Sequence, residues 1–221
     1  MSDLSRPVVS RQLEPHPRLA EAVTKHRLSS WKKPVASHSA VSFARLLPDL
    51  KAWPGPLILD SGCGTGMSTW GLAQRYPEAL VVGIDKSLAR LSRNSGPVPA
   101  NVRLVRMELG DFWVLAHAEG LSFRRQCFYY PNPWPKPEHR LRRWPFHPVF
   151  PLIVAGGGTL ELRTNWKIYA QEFALAVGIL SGATPEVLEW HPQNPETLFE
   201  KKFLASGHAL WRCEAAIEPK G

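Results

Sequence analysis

The sequence predicts a doubly wound α/β fold built on a mostly parallel, seven-stranded sheet. Short apolar runs alternate with stretches of helical apolar spacing from residue 57 onward. A glycine-rich turn, Gly62-Cys63-Gly64-Thr65-Gly66, follows the first of those runs. Acids close the first three runs: Asp60, Asp85, and Glu108 with Asp111. Strands that alternate with helices form a parallel sheet covered on both faces.

The elements follow in order. Residues 1–33 hold seven Lys or Arg (Arg6, Arg11, Arg18, Lys25, Arg27, Lys32, Lys33) against three acids, with weak apolar periodicity, and read as a basic, loosely ordered arm. A short helical pattern spans Ser39–Leu47 and stops at Pro48, before the Trp53-Pro54-Gly55-Pro56 break. Leu57–Asp60, Leu80–Ile84, Val102–Met107 and Gln126–Tyr130 read as strands, separated by helices over Met67–Tyr76, Ser87–Arg93 and Phe112–Glu119. A Pro- and Arg-rich loop follows, then a short helix over Pro148–Ala155. Strand Thr159–Arg163, helix Lys167–Leu180 and strands Val187–Trp190 and His208–Ala216 complete the chain.

The bulk properties bound the function. A chain of 221 residues with 44% hydrophobic content is long and apolar enough to bury a core. No apolar run has membrane-span length, and the N-terminal stretch has no secretory h-region, so a cytoplasmic location is expected. Cys63, Cys127 and Cys213 are scattered, which argues against a disulfide framework or a zinc site; no metal is expected. The formal charge of +8 points to a polyanionic partner, and nucleic acid is the commonest one.

The glycine turn identifies a cofactor. Gly62, Gly64 and Gly66 let backbone approach a ligand ahead of a helix N-terminus. The dinucleotide fingerprint would place its third glycine at Met67, which leaves an NAD-type fold with lost glycines as the lesser reading, and no Gly-Lys-Ser/Thr is present, so there is no P-loop. Asp60 would repel a pyrophosphate but suits the cationic amino-acid end of S-adenosylmethionine. Asp85 ends the second strand, where an acid accepts hydrogen bonds from both ribose hydroxyls. Glu108 or Asp111 lies where the adenine amino group would be. The ordered set points to S-adenosylmethionine.

The loop after the fourth strand reads Pro131-Asn132-Pro133-Trp134-Pro135-Lys136-Pro137-Glu138-His139-Arg140-Leu141-Arg142-Arg143-Trp144. Asn132, Trp134 and, as a further candidate, Trp144 offer hydrogen bonds and stacking faces to a base. Lys136, His139, Arg140, Arg142 and Arg143 are suited to phosphates.

That loop resembles the segment PDPWPK-x-x-H-x-x-RR of the tRNA (guanine-N(7)-)-methyltransferases, class I S-adenosylmethionine-dependent enzymes of Rossmann-like fold. Arg163-Thr164-Asn165-Trp166 with Tyr169 resembles the family's Thr-Asp element. Thr197-Leu198-Phe199-Glu200-Lys201, then Gly207, resembles its Thr-x-x-Glu element. The similarity covers roughly residues 55–215, and it implies a methyltransferase domain over 34–221 behind the basic arm. It implies transfer of a methyl group to nitrogen-7 of a guanine in tRNA. Asp60, Gly62, Gly64, Gly66, Asp85 and Glu108 would line the cofactor; Asn132, Trp134 and Asn165 would stand at the reaction centre; Thr164, Thr197 and Glu200 join the basic residues on the acceptor side. A monomer is favoured. Two departures stand out: Asn132 and Asn165 replace aspartates of the family pattern. They keep open a tRNA-binding protein without catalysis, or a methyltransferase of another base or acceptor. Asn132-Pro133-Trp134 also echoes the Asn-Pro-Pro-Tyr/Trp loop of amino-group methyltransferases.

Overall fold

A computed structural model describes residues 4–29, 31–93 and 96–218. Seven strands, β1 (Leu57–Ser61), β2 (Leu80–Asp85), β3 (Val102–Arg106), β4 (Arg125–Tyr129), β5 (Gly158–Thr164), β6 (Glu186–Glu189) and β7 (Trp211–Ile217), form one sheet in the order β3-β2-β1-β4-β5-β7-β6. Strands β1 to β5 are mutually parallel, while β7 runs antiparallel between β5 and β6. The strand order reverses between β1 and β4, so their C-terminal ends diverge into a crevice, as open α/β sheets require.

Alternation along each strand builds two cores. Leu57 and Leu59 of β1, with Leu80 and Val82 of β2, face one side; Ile58 and Val81 face the other. The first side is covered by α1 (Leu19–Arg27), α2 (Ser37–Ala52), α5 (Leu109–Ala118), α6 (Phe150–Ala155) and α7 (Lys167–Ser181). The second is covered by α3 (Met67–Arg75) and by Phe203 and Leu204 of α8 (Leu198–Ala205). The short α4 (Leu88–Leu91) follows β2. No helix of the described residues is long and apolar enough to cross a membrane.

Two expectations change here. Pro48 does not end its helix: α2 continues to Ala52, because Leu46 and Leu50 are both buried on either side of it. Packing of that face outweighs the lost backbone hydrogen bond. The basic N-terminal segment also contains α1, where Leu19 and Val23 are fully or almost fully buried. Two buried apolar side chains contribute roughly 1.5–3 kcal/mol each, enough to dock a helix of weak periodicity.

The chain ahead of α1 lies across the acceptor loops. The Ser5 backbone N–H donates to Ser206 Oγ, Ser10 Oγ donates to the Pro135 carbonyl, and Gln12 Nε2 donates to Glu172. Val8 packs on the cluster of Trp166, Ile168 and Tyr169.

Candidate active site

A cleft of about 640 Å³ opens where β1 and β4 diverge. One end is lined by Ser61 at the end of β1 and Gly62 after it, by Asp85 at the end of β2, and by Glu108 to Asp111 at the start of α5. The other is lined by Tyr129 at the end of β4 and Tyr130 to Trp134 after it, by Arg142, and by Asn165 after β5. The sheet thus joins the two expected half-sites in one cavity.

The glycine turn owes its shape to left-handed backbone: Gly62, Gly64 and Gly66 have φ of 80°, 60° and 86°. A Cβ on Gly66 would lie 2.7 Å from the Trp70 ring, so this glycine serves packing as well as the turn. The Gly64 N–H donates to Asp85 Oδ2 at 3.1 Å. Asp85 Oδ1 accepts from the Ser87 N–H at 2.8 Å and from Arg90 at 2.9 Å.

Asp60 departs from expectation. It does not line the cleft; Ser68 and Thr69 hydroxyls both donate to its Oδ2 at 2.6 Å. Burial raises its pKa, and those two hydroxyls oppose the rise. The carboxylate ties β1 to the first turn of α3, because a buried acid needs such donors. Ser61, the next residue, does line the cleft, and its buried Oγ has no hydrogen-bond partner.

On the acceptor side, Asn132, Trp134 and Asn165 come together as expected. Asn132 Oδ1 accepts from the Trp134 N–H at 3.2 Å, a turn that side-chain amides and carboxylates both form. Tyr130 and Trp134 have φ of 53° and 46°, a strained state for large side chains that is typical of functional loops. The Arg142 guanidinium lies 4.5 Å above the Trp134 ring, and His139 meets that ring edge-on. Lys136 is exposed and Arg140 half-buried; neither lines the cleft. Asn165 Nδ2 is 3.2 Å from His208 Nδ1, and His208 Nε2 is 3.0 Å from the Ser5 carbonyl oxygen. A carbonyl only accepts, so Nε2 carries the proton and Nδ1 accepts from Asn165.

Four acceptor-side expectations are corrected. Arg143 is fully buried against Glu172, so it contacts no phosphate. Its Nε also donates to the Trp134 carbonyl at 3.1 Å, which braces the loop from beneath. Thr164 is buried and its Oγ1 accepts from the Trp166 N–H. Thr197 caps α8, its hydroxyl accepting from the Glu200 N–H at 2.9 Å. Glu200 is fully buried and accepts from Tyr130 Oη at 2.7 Å and Trp190 Nε1 at 3.0 Å. The Thr-x-x-Glu element is therefore a helix cap that also anchors the Tyr130 ring.

Glu200 belongs to a buried ionic network. Arg163 reaches Glu161, Glu196 and Glu200, and Glu161 also meets Arg125, Arg212 and the Tyr129 hydroxyl. Burial works to raise the Glu161 pKa, but the three guanidinium groups outweigh it and hold the acid below its ordinary value. Tyr129 and Tyr130 form the roof of this network and a wall of the cleft.

Several lining residues carry no local sequence signal: Trp31 and Lys33 ahead of α2, Arg90 of α4, and His147. The His147 ring packs on Trp31 and Trp144, each 5.3 Å away between centroids. Among the described residues no cluster of His, Cys, Asp and Glu could hold a metal ion.

Residues 54–213 match the family model described as "Putative methyltransferase". The chain is 32% identical over 180 residues to a tRNA (guanine-N(7)-)-methyltransferase of Mycolicibacterium gilvum, covering 71% of this chain and 67% of that protein. It is 32% identical over 164 residues to one from Nocardioides sp., covering 70% of this chain and 65% of the relative's length, a little under two thirds. A third, from Leifsonia xyli, is 28% identical, with 79% and 83% covered. Among solved structures, an antibiotic-related methyltransferase shares the fold with a TM-score of 0.56 at 14% identity, over 84% of this chain and 97% of that one. A 16S rRNA (adenine(1408)-N(1))-methyltransferase from Catenulisporales acidiphilia does so with a TM-score of 0.54 at 17% identity, over 79% and 91%. Matched by the family model over residues 54–213 and 32% identical to a relative over 71% of its length, the chain belongs to the tRNA (guanine-N(7)-)-methyltransferase family.

Proposed function

We propose that the protein transfers a methyl group from S-adenosylmethionine to nitrogen-7 of a guanine in tRNA. The observation that carries this reading is the single cleft, in which a carboxylate and a glycine turn at one end meet Asn132, Trp134 and Asn165 at the other. The cleft fits the cofactor. Ser61 Oγ is a buried hydroxyl with no protein partner, open to a bond from a ligand, and a Cβ on Gly62 would meet nothing closer than 4.0 Å, so the cradle is open. Asp85 would accept the ribose hydroxyls, displacing the half-exposed Arg90, and Glu108 and Asp111 would face the adenine.

The cofactor supplies an activated methyl group on a sulfonium. Guanine nitrogen-7 carries a lone pair and no proton, so the new N–C bond forms as the S–C bond breaks, and no general base is required. The protein holds the base in line, with the reacting atoms about 3 Å apart, and excludes water. Asn132 and Asn165 supply orienting hydrogen bonds, and Trp134 a stacking face. Glu200 and Arg143 act through others, by fixing Tyr130 and the Trp134 loop. Arg142, with Lys136 and Arg140, supplies positive charge for RNA phosphates.

Incubation with labelled S-adenosylmethionine and unmodified tRNA, followed by nucleoside analysis, tests the reading. The expected product is 7-methylguanosine. Label in another nucleoside, or none in RNA, overturns it.

A further inference from the structure

We propose that Phe199 is a base-stacking residue for an unpaired nucleotide of the RNA substrate. A single exposed phenylalanine is ordinary. Phe199 is not isolated: it lines the cleft, is 49% exposed, and forms the outer rung of a ladder of near-parallel rings. Its ring lies 5.9 Å from Phe203 at 27°, and Phe203 lies 5.2 Å from His208 at 14°. The inner rung is pinned on both nitrogens, by the Ser5 carbonyl and the Asn165 amide. Tyr130, itself anchored by Glu200, packs against Phe203 at 5.5 Å.

A rigid support with a half-exposed outer ring offers a stacking plane at little entropic cost. Positive charge in the cleft and on the chain selects what stacks there. Arg142 lines the same cleft, Lys136 is exposed on its loop, and the chain carries a net +8. Aromatic faces beside a basic groove are how proteins hold single-stranded nucleic acid, and every base has a π-face to offer. Phe199 thereby gives the cleft a second aromatic platform in addition to Trp134.

Phe199 has this role only if the chain acts on RNA, as proposed above. The test uses the full-length protein with Phe199→Leu, which keeps apolar bulk without a ring face, and Phe199→Trp, which keeps the face. Labelled unmodified tRNA should bind Phe199→Leu roughly tenfold more weakly than wild type, or about 1.4 kcal/mol, because the ring face on which a base stacks is lost. Phe199→Trp should bind within about threefold of wild type. S-adenosylmethionine affinity and thermal midpoint should stay unchanged in both. If Phe199→Leu matches wild type in tRNA affinity and in kcat/KM for tRNA, the stacking role fails while the RNA reading stands. Equal losses in both variants with a lowered thermal midpoint also overturn it, because a packing role would then explain them. Wild type that binds no tRNA removes both readings.

Discussion

Arg143 Nη1 donates to both carboxylate oxygens of Glu172, at 2.7 and 2.8 Å, and neither side chain has exposed surface. Gln12 joins the same pair, with its Oε1 3.0 Å from Arg143 and its Nε2 2.7 Å from Glu172. The pair therefore connects the N-terminal segment, the acceptor loop and α7. Removing one partner strands a buried charge, at a cost of about 3–5 kcal/mol. Arg143→Met should lower the thermal midpoint strongly, while replacing both partners together should cost less than Glu172→Gln alone. Equal losses in the single and double variants would contradict this.

The adjacent Arg142 behaves oppositely. It is exposed beside Trp134 and lines the cleft, and Lys136 is exposed on the same loop. Arg142→Ala and Lys136→Ala should leave stability within about 0.5 kcal/mol. Each should lower the log–log salt slope of tRNA binding by roughly 0.7–0.9 per lost phosphate contact. An unchanged slope in the double variant would remove both from the RNA interface.

Asp85 holds the Gly64 N–H on one oxygen and the Ser87 N–H on the other. Asp85→Asn keeps the shape but gives up charge and half the acceptor capacity. Calorimetry should find S-adenosylmethionine affinity reduced by about 1.5–3 kcal/mol, the range for hydrogen bonds to charged groups. Retention of full affinity would refute the ribose assignment.

Asn132 accepts the Trp134 N–H, and an aspartate can do the same. Asn132→Asp should keep turnover equal or higher, because a carboxylate is the stronger acceptor for guanine's ring N–H and amino group. Asn132→Ala loses the turn that holds Trp134 at φ 46°, so kcat should fall while cofactor affinity stays the same. Single-turnover assays with tRNA decide the matter; an Asn132→Ala enzyme as fast as wild type would refute it.

His147 is held neutral. Burial first, then His26 and Lys33 nearby, lower its pKa to about 4. The unfolded chain takes up the proton near pH 6.5, before the folded one does. Stability is thus full above about pH 6.5 and is lost as pH falls towards 4. Between pH 7 and 5, wild type should lose on the order of 1 kcal/mol more than His147→Gln, read from urea midpoints. Parallel pH curves for the two proteins would show that His147 is not the sensor.

The sequence by itself determined the strands, the glycine turn and the acids at their ends, because these are local patterns whose period follows from the pleat. Through the resemblance of their motifs it also gave the expectation that Asn132, Trp134 and Asn165 stand together, and all three line the cleft. It did not distinguish Arg142 from Arg143, which are chemically identical and adjacent. The tertiary structure separates them: Arg143 turns inward to Glu172, twenty-nine positions later in α7, and Arg142 is left to solvent and to Trp134. In the same way only packing decides that Asp60 is spent on Ser68 and Thr69 while Asp85 faces the cleft, and that Glu200 anchors Tyr130 from inside the fold. Residue type fixes what a charged group can bind; the partner brought to it across the sheet fixes whether any of that capacity is left for a substrate, because a buried charge must be paired before it can be buried at all.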